Sequence, residues 1–206
     1  MAYRYLVFYK PYDVLSQFSD GPHSSPPNPL ANGDVTMPQR LTLKDYIPVT
    51  GVYPVGRLDK DSEGLMLLTN DGWVQHRLSD PRYAHPRTYW VQVERQPSAD
   101  DLSQLRQGVI IKGYHTRPCD VSLLTEVSSL PERIPPIRHR KTVPTAWLEI
   151  TLREGKNRQV RRMTAAIGYP TLRLVRVAIA HLHLGTLLPG EWRDITEGER
   201  RQLLQG

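Results

Sequence analysis

Residues 56–72 read GRLDKDSEGLMLLTNDG. The aliphatic run Leu65–Leu68 lies between Gly64 and a turn-forming Asn-Asp-Gly, which is typical of a buried β-strand. The polar residues from Arg57 to Glu63 therefore form a loop that enters this strand directly. A charged loop fixed to a core strand is a common way of presenting a functional site.

This loop contains three acids, Asp59, Asp61 and Glu63, together with the cations Arg57 and Lys60. They could form a metal site, a general acid and base pair, or a solvated charged turn. Composition favours the solvated turn, and a metal is least favoured because the neighbouring cations oppose one. A hydrolase with Asp59 and Asp61 as its carboxylate pair is disfavoured, since both acids share one short loop.

A second charged stretch, residues 153–163, reads REGKNRQVRRM. Its periodicity predicts a helix from about Arg158 to Gly168, with the apolar residues on one face. On this helix Arg158 and Arg162 face solvent or a polyanion. Arg161 lies on the flank of the apolar face, from which its guanidinium can reach an acid. The alternative is an ordinary basic helix face.

The whole chain has 206 residues, with 27 Lys and Arg against 21 Asp and Glu and a formal charge of +6. This length predicts one domain or two closely packed halves, and the charge suits a polyanionic partner without identifying one. The single cysteine, Cys119, excludes an intrachain disulfide, and no Cys/His spacing indicates zinc. Without a leader or a long apolar run, the chain is expected to be cytosolic.

Strand and helix patterns are interleaved along the rest of the chain, without regular alternation or a glycine-rich nucleotide loop, which favours an α+β fold. Residues 19–40 are rich in turn formers and predict a long surface loop, and residues 131–144 an irregular basic stretch. Strands are predicted at residues 3–9, 88–94, 109–111, 121–124, 146–152, 171–177 and 181–184, and helices at 41–47, 72–79, 98–107, 158–168 and 196–204.

Taken together, GRLDxxSEGLxLLTNDG and the downstream EGKNRQVRRM resemble the RsuA family of ribosomal RNA pseudouridine synthases. Within that family, the opening segment 5–15, the strand 88–93 and residues 136–148 fit best the large-subunit branch designated E. The resemblance covers roughly residues 3–195 and implies a pseudouridine synthase fold: a curved, mostly antiparallel sheet with flanking helices and a central RNA cleft. It further implies a single catalytic domain over 1–206, made of two half-domains, without a separate N-terminal RNA-binding domain. Arg87 departs from the family, which usually has lysine there.

The implied activity is isomerisation of a uridine to pseudouridine in 23S ribosomal RNA or the assembling large subunit, by an enzyme with no cofactor or metal, taken to be a monomer. The target nucleotide must be flipped out of its stack. By resemblance Asp59 is the catalytic aspartate, either nucleophile or base, and needs a cationic partner to stay charged in a dry pocket. Arg161 is the expected partner, and Tyr89 is expected to stack on the base.

Further residues are expected to bind RNA. Arg57 is placed to contact a phosphate or fill the space that the base leaves, whereas Asp61 and Glu63 are expected to shape the loop. A second hypothesis is a non-catalytic RNA-binding or ribosome-assembly factor that uses the same basic cleft. The expected contacts to the RNA backbone are Lys156, Arg158, Arg162, Arg138, Arg140 and Lys141.

Overall fold

The fold is taken from a computed structural model that describes residues 2–19, 40–127, 130–137 and 142–205. Most of the predicted surface loop at 19–40 and part of the predicted irregular stretch at 131–144 therefore lie outside the described residues. The same is true of three predicted RNA contacts, Arg138, Arg140 and Lys141.

Strands and helices alternate irregularly, as the sequence predicts. The strands are β1 (Tyr5–Lys10), β2 (Tyr53–Pro54), β3 (Glu63–Thr69), β4 (Arg87–Glu94), β5 (Ile110–Ile111), β6 (Tyr114–His115), β7 (Asp120–Leu124), β8 (Thr145–Leu152), β9 (Thr171–Ile179), β10 (Leu182–His183) and β11 (Trp192–Asp194). The helices are α1 (Gly72–Ser79), α2 (Ala99–Gln107), α3 (Gln159–Ala166) and α4 (Glu197–Gln205), with 3₁₀ turns at Leu43–Asp45 and Pro81–Tyr83. None of the helices in the described ranges is long and apolar enough to cross a bilayer.

The helix predicted at 41–47 is wrong in extent, because only the 3₁₀ turn Leu43–Asp45 forms there. The Asp45 carboxylate accepts hydrogen bonds from the backbone N–H and the hydroxyl of Thr42, at 2.7 and 3.0 Å. This capping box closes a single turn, and Pro48 follows too soon for another. By contrast, α1 has the predicted bounds, since the Asp71 side chain caps its first turn.

Nine strands of the described residues form one curved sheet in the order β11-β1-β3-β9-β4-β8-β7, with β10 added to β9 and β2 to β3. The pairs are antiparallel except β3 with β9, which run parallel at the centre of the sheet. The α+β class with a mostly antiparallel sheet is thus confirmed.

Different helices cover the two ends of the sheet. Helices α2 and α3 pack on β4 and β8, whose inward side chains alternate with outward ones. At the other end β1 and β3 are buried on both faces and so read as continuous apolar runs. One face of β1 and β3 packs on α1 and α4, and the other on the segment around Leu43 and Ile47. The buried strand predicted around Leu65–Leu68 is confirmed.

The parallel contact between β3 and β9 requires glycine at position 64. Gly64 has φ +106°, and a Cβ there would lie 2.3 Å from the carbonyl oxygen of Arg176. Such a distance leaves no room for any side chain, because the contacted atom is backbone and cannot rotate away.

We expect Gly64→Ala to lower the free energy of unfolding by about 3 kcal/mol or more, since it adds overpacking to backbone strain. Urea unfolding measures this. Gly51→Ala is the matched control, because Gly51 also has positive φ, +77°, but open space around its Cβ position. Equal losses in the two variants would contradict the steric argument.

Candidate active site

The loop that carries Asp59 is held by the segment that follows β1. The Lys10 ammonium donates to the carbonyls of Pro11, Val14 and Lys60, at 2.9, 2.7 and 3.3 Å. The Ser16 hydroxyl donates to the carbonyl of Leu58 at 2.6 Å. The residues on both sides of Asp59 are therefore tied to the core.

Lys10 is fully buried, and this burial lowers its pKa to about 7 in spite of the attraction of Glu63, Asp61, Asp13 and Asp59. A buried lysine is expensive unless its donors are satisfied, and here three carbonyl oxygens accept from it. The hydrophobic pattern does not identify Lys10 as buried. The signal in the sequence is a lysine that ends an aromatic strand directly before a proline.

Asp61 is the anchor of two arginines from the other half of the chain. The Arg158 guanidinium donates to both Asp61 carboxylate oxygens, at 2.8 and 2.7 Å. The Arg161 Nη2 donates to the backbone carbonyl of Asp61 at 2.6 Å, and its Nε lies 3.4 Å from the carboxylate. Burial alone would raise the pKa of Asp61, but the hydrogen bonds from Arg158 and the charge of Arg161 outweigh it and lower the pKa.

Arg158 is exposed, in line with its predicted outward orientation, but the acidic loop engages its guanidinium. Helix α3 begins only at Gln159, and Arg158 is its N-cap residue in the left-handed region, at φ +51°. The helical wheel therefore does not apply to it, and its side chain folds back onto the acidic loop. Its Nη1 lies 3.7 Å from Asp59 Oδ2.

The expected direct pairing of Arg161 with Asp59 also differs from the structure, in which Arg161 meets the loop at Asp61. Among the described residues, the cation that forms a salt bridge with Asp59 is Arg158. The guanidinium of Arg161 instead contacts the backbone carbonyl and the carboxylate of Asp61. Asp59 still acts electrostatically on Arg161. The catalytic role expected for Arg161 stays a prediction.

A cleft of about 700 Å³ opens beside this loop. It brings together five of the predicted residues: Arg57, Asp59, Tyr89, Lys156 and Arg158. The Asp59 side chain is 35% exposed and so is accessible from the cleft. Arg162 is not among the lining residues, and its Nη2 donates to the Asn157 side chain at 2.6 Å.

Residues 154–158 also line the cleft, and Glu154 anchors this turn. Its buried carboxylate accepts from the Tyr114 hydroxyl at 2.7 Å, the Arg117 backbone N–H at 2.9 Å and the Gln159 side chain at 2.5 Å. Lys156 lies over the Tyr114 ring, 4.6 Å from its centroid. This turn therefore presents a positioned cation rather than a mobile one.

Tyr89 lies on β4, half-buried between two core clusters, and lines the cleft. Its neighbour across the strands is Arg176 of β9, which lines the cleft as well. Sequence analysis missed Arg176 because the pattern around it predicts only a core strand. Glu63 was expected to shape the loop, and it forms a buried bidentate pair with Arg173, at 2.9 and 2.8 Å.

The sequence profile of the family described as RNA pseudouridylate synthase matches residues 4–166. The chain belongs to this family. The protein is accordingly an RNA-modifying isomerase, as the resemblance implied.

Curated relatives agree with this assignment. The ribosomal large subunit pseudouridine synthase E of Vibrio parahaemolyticus is 51% identical over 190 residues, which cover 92% of this chain and 73% of that protein. The protein of the same name from Xanthomonas campestris is 53% identical over 184 residues, 89% of this chain and 91% of its own. A crystal structure of a pseudouridylate synthase superposes with a TM-score of 0.76 at 24% identity, over 98% of this chain and 74% of that one; it supports the fold alone.

We expect Lys10→Met to reduce the isomerase rate about 100-fold, because displacement of the loop by about an ångström is enough for such a loss. Release of tritium from C5-labelled uridine in RNA measures the rate. Lys44→Met removes an exposed lysine and should change nothing. Full activity of Lys10→Met would show that the loop does not depend on this ammonium.

The pKa of Lys10 also makes stability depend on pH. Its usual value is 10.5 and its folded value is about 7, so between these pH values the unfolded chain binds more protons and rising pH favours the folded state. Raising the pH from 7 to 10 should therefore stabilise the wild type more than Lys10→Met. Parallel pH profiles of the two unfolding free energies would refute this.

Proposed function

We propose that this chain converts a specific uridine of large-subunit (23S) ribosomal RNA to pseudouridine, with Asp59 as the catalytic carboxylate. The observation that carries the proposal is that Asp59, on its anchored loop, and Tyr89 line the same cleft. Relatives that are half identical over most of this chain are named large-subunit pseudouridine synthases. A uracil ring extruded into the cleft would meet both side chains.

The chemistry requires a group that acts on the sugar while the base turns. Asp59 would act as nucleophile at C1′ or as base at C2′, and Tyr89 would stack on the flipped ring. Arg158 lies 3.7 Å from Asp59 and is also held by Asp61. It therefore supplies fixed positive charge next to the carboxylate and keeps it charged without being free to move. Arg161 adds to this charge from behind the loop.

RNA would be held mainly through its phosphates. Arg57 is exposed where the loop borders the cleft, and Lys156 lines the cleft from the 154–158 turn. Cations from two segments favour a phosphate backbone along the cleft, and binding should weaken steeply with salt. We infer the same backbone role for Arg162, Arg138, Arg140 and Lys141. Arg158 is a weaker candidate for it, because two acids already engage it.

The rest of the proposal is that residues 1–206 act as one catalytic unit of two half-domains, as a monomer, in the cytoplasm where ribosomal subunits are made. The alternative is an assembly factor that binds the same RNA without reacting. An acid beside the expected path of phosphates favours the enzyme, because binding alone has no use for it.

The test is tritium release from large-subunit ribosomal RNA labelled at C5 of uridine. Asp59→Asn should lower the rate by roughly 1000-fold or more, since it removes the reacting carboxylate. Asp61→Asn, on the same loop, should lower the rate by only about tenfold, because it loosens Arg158 and Arg161 but leaves the reacting carboxylate in place.

Either of two outcomes would contradict the proposal. If the wild type binds the RNA but releases no tritium from naked or subunit-assembled substrate, the protein is an assembly factor. If Asp59→Asn is as active as the wild type, another group is the catalyst.

A further inference from the structure

Arg176 is a buried cation with no acidic partner among the residues that the structure describes. It is 3% exposed on β9 and lines the cleft with Asp59 and Tyr89. Its Nε donates to the carbonyl of Leu65 at 2.8 Å. Its Nη2 is buried without a hydrogen-bond partner in the described part of the chain. A guanidinium in this state lacks a strong acceptor.

Three other arginines near the site have acidic partners, whereas Arg87, which also lines the cleft, donates to the backbone carbonyl of Leu78. Arg173, three residues earlier on the same strand, is paired with Glu63, and Arg158 and Arg161 are paired with Asp61. The groups that act on the charge of Arg176 are Tyr89, through its charge and a side-chain hydrogen bond, and Arg87, and neither is a carboxylate. Burial lowers the pKa of Arg176, but an arginine stays protonated in proteins. An unpaired buried charge is costly, and it marks a place where a ligand supplies the missing partner.

The position of Arg176 is fixed from both sides. It pairs with Tyr89 across β4 and with Gly64 across the parallel contact to β3. The backbone of Gly64 approaches so closely that no Cβ fits between the strands. The backbone of Arg176 is therefore fixed beside Tyr89 before a substrate arrives.

We propose that the guanidinium of Arg176 donates a hydrogen bond to a carbonyl oxygen of the flipped uracil and that its charge stabilises the base while it is detached from the ribose. This inference rests on the proposed isomerisation, whose cleft it shares. A backbone phosphate is the weaker alternative, because Arg176 is buried, whereas Arg57 is exposed at the border of the cleft.

The charge balance of the reaction explains why a cation is useful there. When the C1′–N1 bond breaks, its electron pair goes to N1 and the base carries one negative charge. Asp59 balances the sugar by bonding to C1′ or by taking the C2′ proton. C5 of the turned base then bonds to C1′, which restores the Asp59 carboxylate by release of its bond or return of its proton. Finally C5 loses its proton and N1 gains one, so the charge on the base exists only in between.

The first test compares Arg176→Met and Arg176→Lys with the wild type in single-turnover tritium release. Met should lower the rate about 100-fold, the loss typical of one preorganised donor to a developing charge, with the RNA dissociation constant unchanged within about threefold. Arg176→Lys restores the positive charge but not the planar, multi-donor geometry of the guanidinium, and it should recover part of the rate. Thermal unfolding of each variant checks that it folds.

The second test changes the substrate. RNA with 2-thiouridine or 4-thiouridine at the target presents sulfur in place of one carbonyl oxygen, and sulfur accepts hydrogen bonds weakly. The wild type should be slowed by one of these two substitutions, and Arg176→Met should show no such penalty, since its contact is already lost.

The outcomes separate this inference from the proposed function. If the wild type releases no tritium from unmodified RNA, the proposed function fails and the role of Arg176 fails with it. If the wild type is active and Arg176→Met matches it, or both proteins show the same thio penalty, only the role of Arg176 is overturned.

Discussion

The short parallel contact between β3 and β9 is the constraint on which the rest of the molecule depends. There the two halves of the sheet meet at Glu63-Gly64 and Val175-Arg176. The Glu63–Arg173 pair lies beside it with side chains 3% and 5% exposed, and joins residues 110 positions apart through two hydrogen bonds. Removing one partner of such a buried pair costs about 3–5 kcal/mol, so the pair permits one register of the two strands and penalises others.

The site follows from that register. Because β3 begins at Glu63, inside its parallel contact with β9, the loop that precedes it emerges next to β9 and its neighbour β4. This brings Asp59 to the cleft that Tyr89 lines. The salt bridge between Asp61 and Arg158 is a second link between the loop and the C-terminal half, and it joins residues 97 positions apart. The N-terminal half thus supplies the acid, and the C-terminal half supplies the cations that hold it. Neither half contains a complete site.

Physical reasons explain which elements and site residues the sequence predicts and which it does not. The α1 helix and the Leu65–Leu68 strand follow from local rules: a capping aspartate, and an apolar run between turn formers. Family resemblance supplied Asp59 and Tyr89, which no periodicity identifies. The pairing of Arg158 with Asp61 was not predicted, because a helical wheel presumes helical backbone and this residue stands one position before the helix. Lys10 and Arg176 escaped prediction because buried cations run against the hydrophobic pattern that sequence reading relies on.

The net charge of +6 suggests a uniformly basic surface, but the structure divides the cations by task. Arg173 is paired with Glu63, and Arg158 and Arg161 are paired with Asp61. The charges of these three arginines therefore stabilise the loop. Arg57 and Lys156 are left on the walls of the cleft, where a polyanion can reach them. Arg176 belongs to neither group, since it is buried like the first and without an acid like the second. A buried unpaired charge calls for a specific explanation, and the role proposed for Arg176 gives one, in which the substrate supplies the missing acceptor.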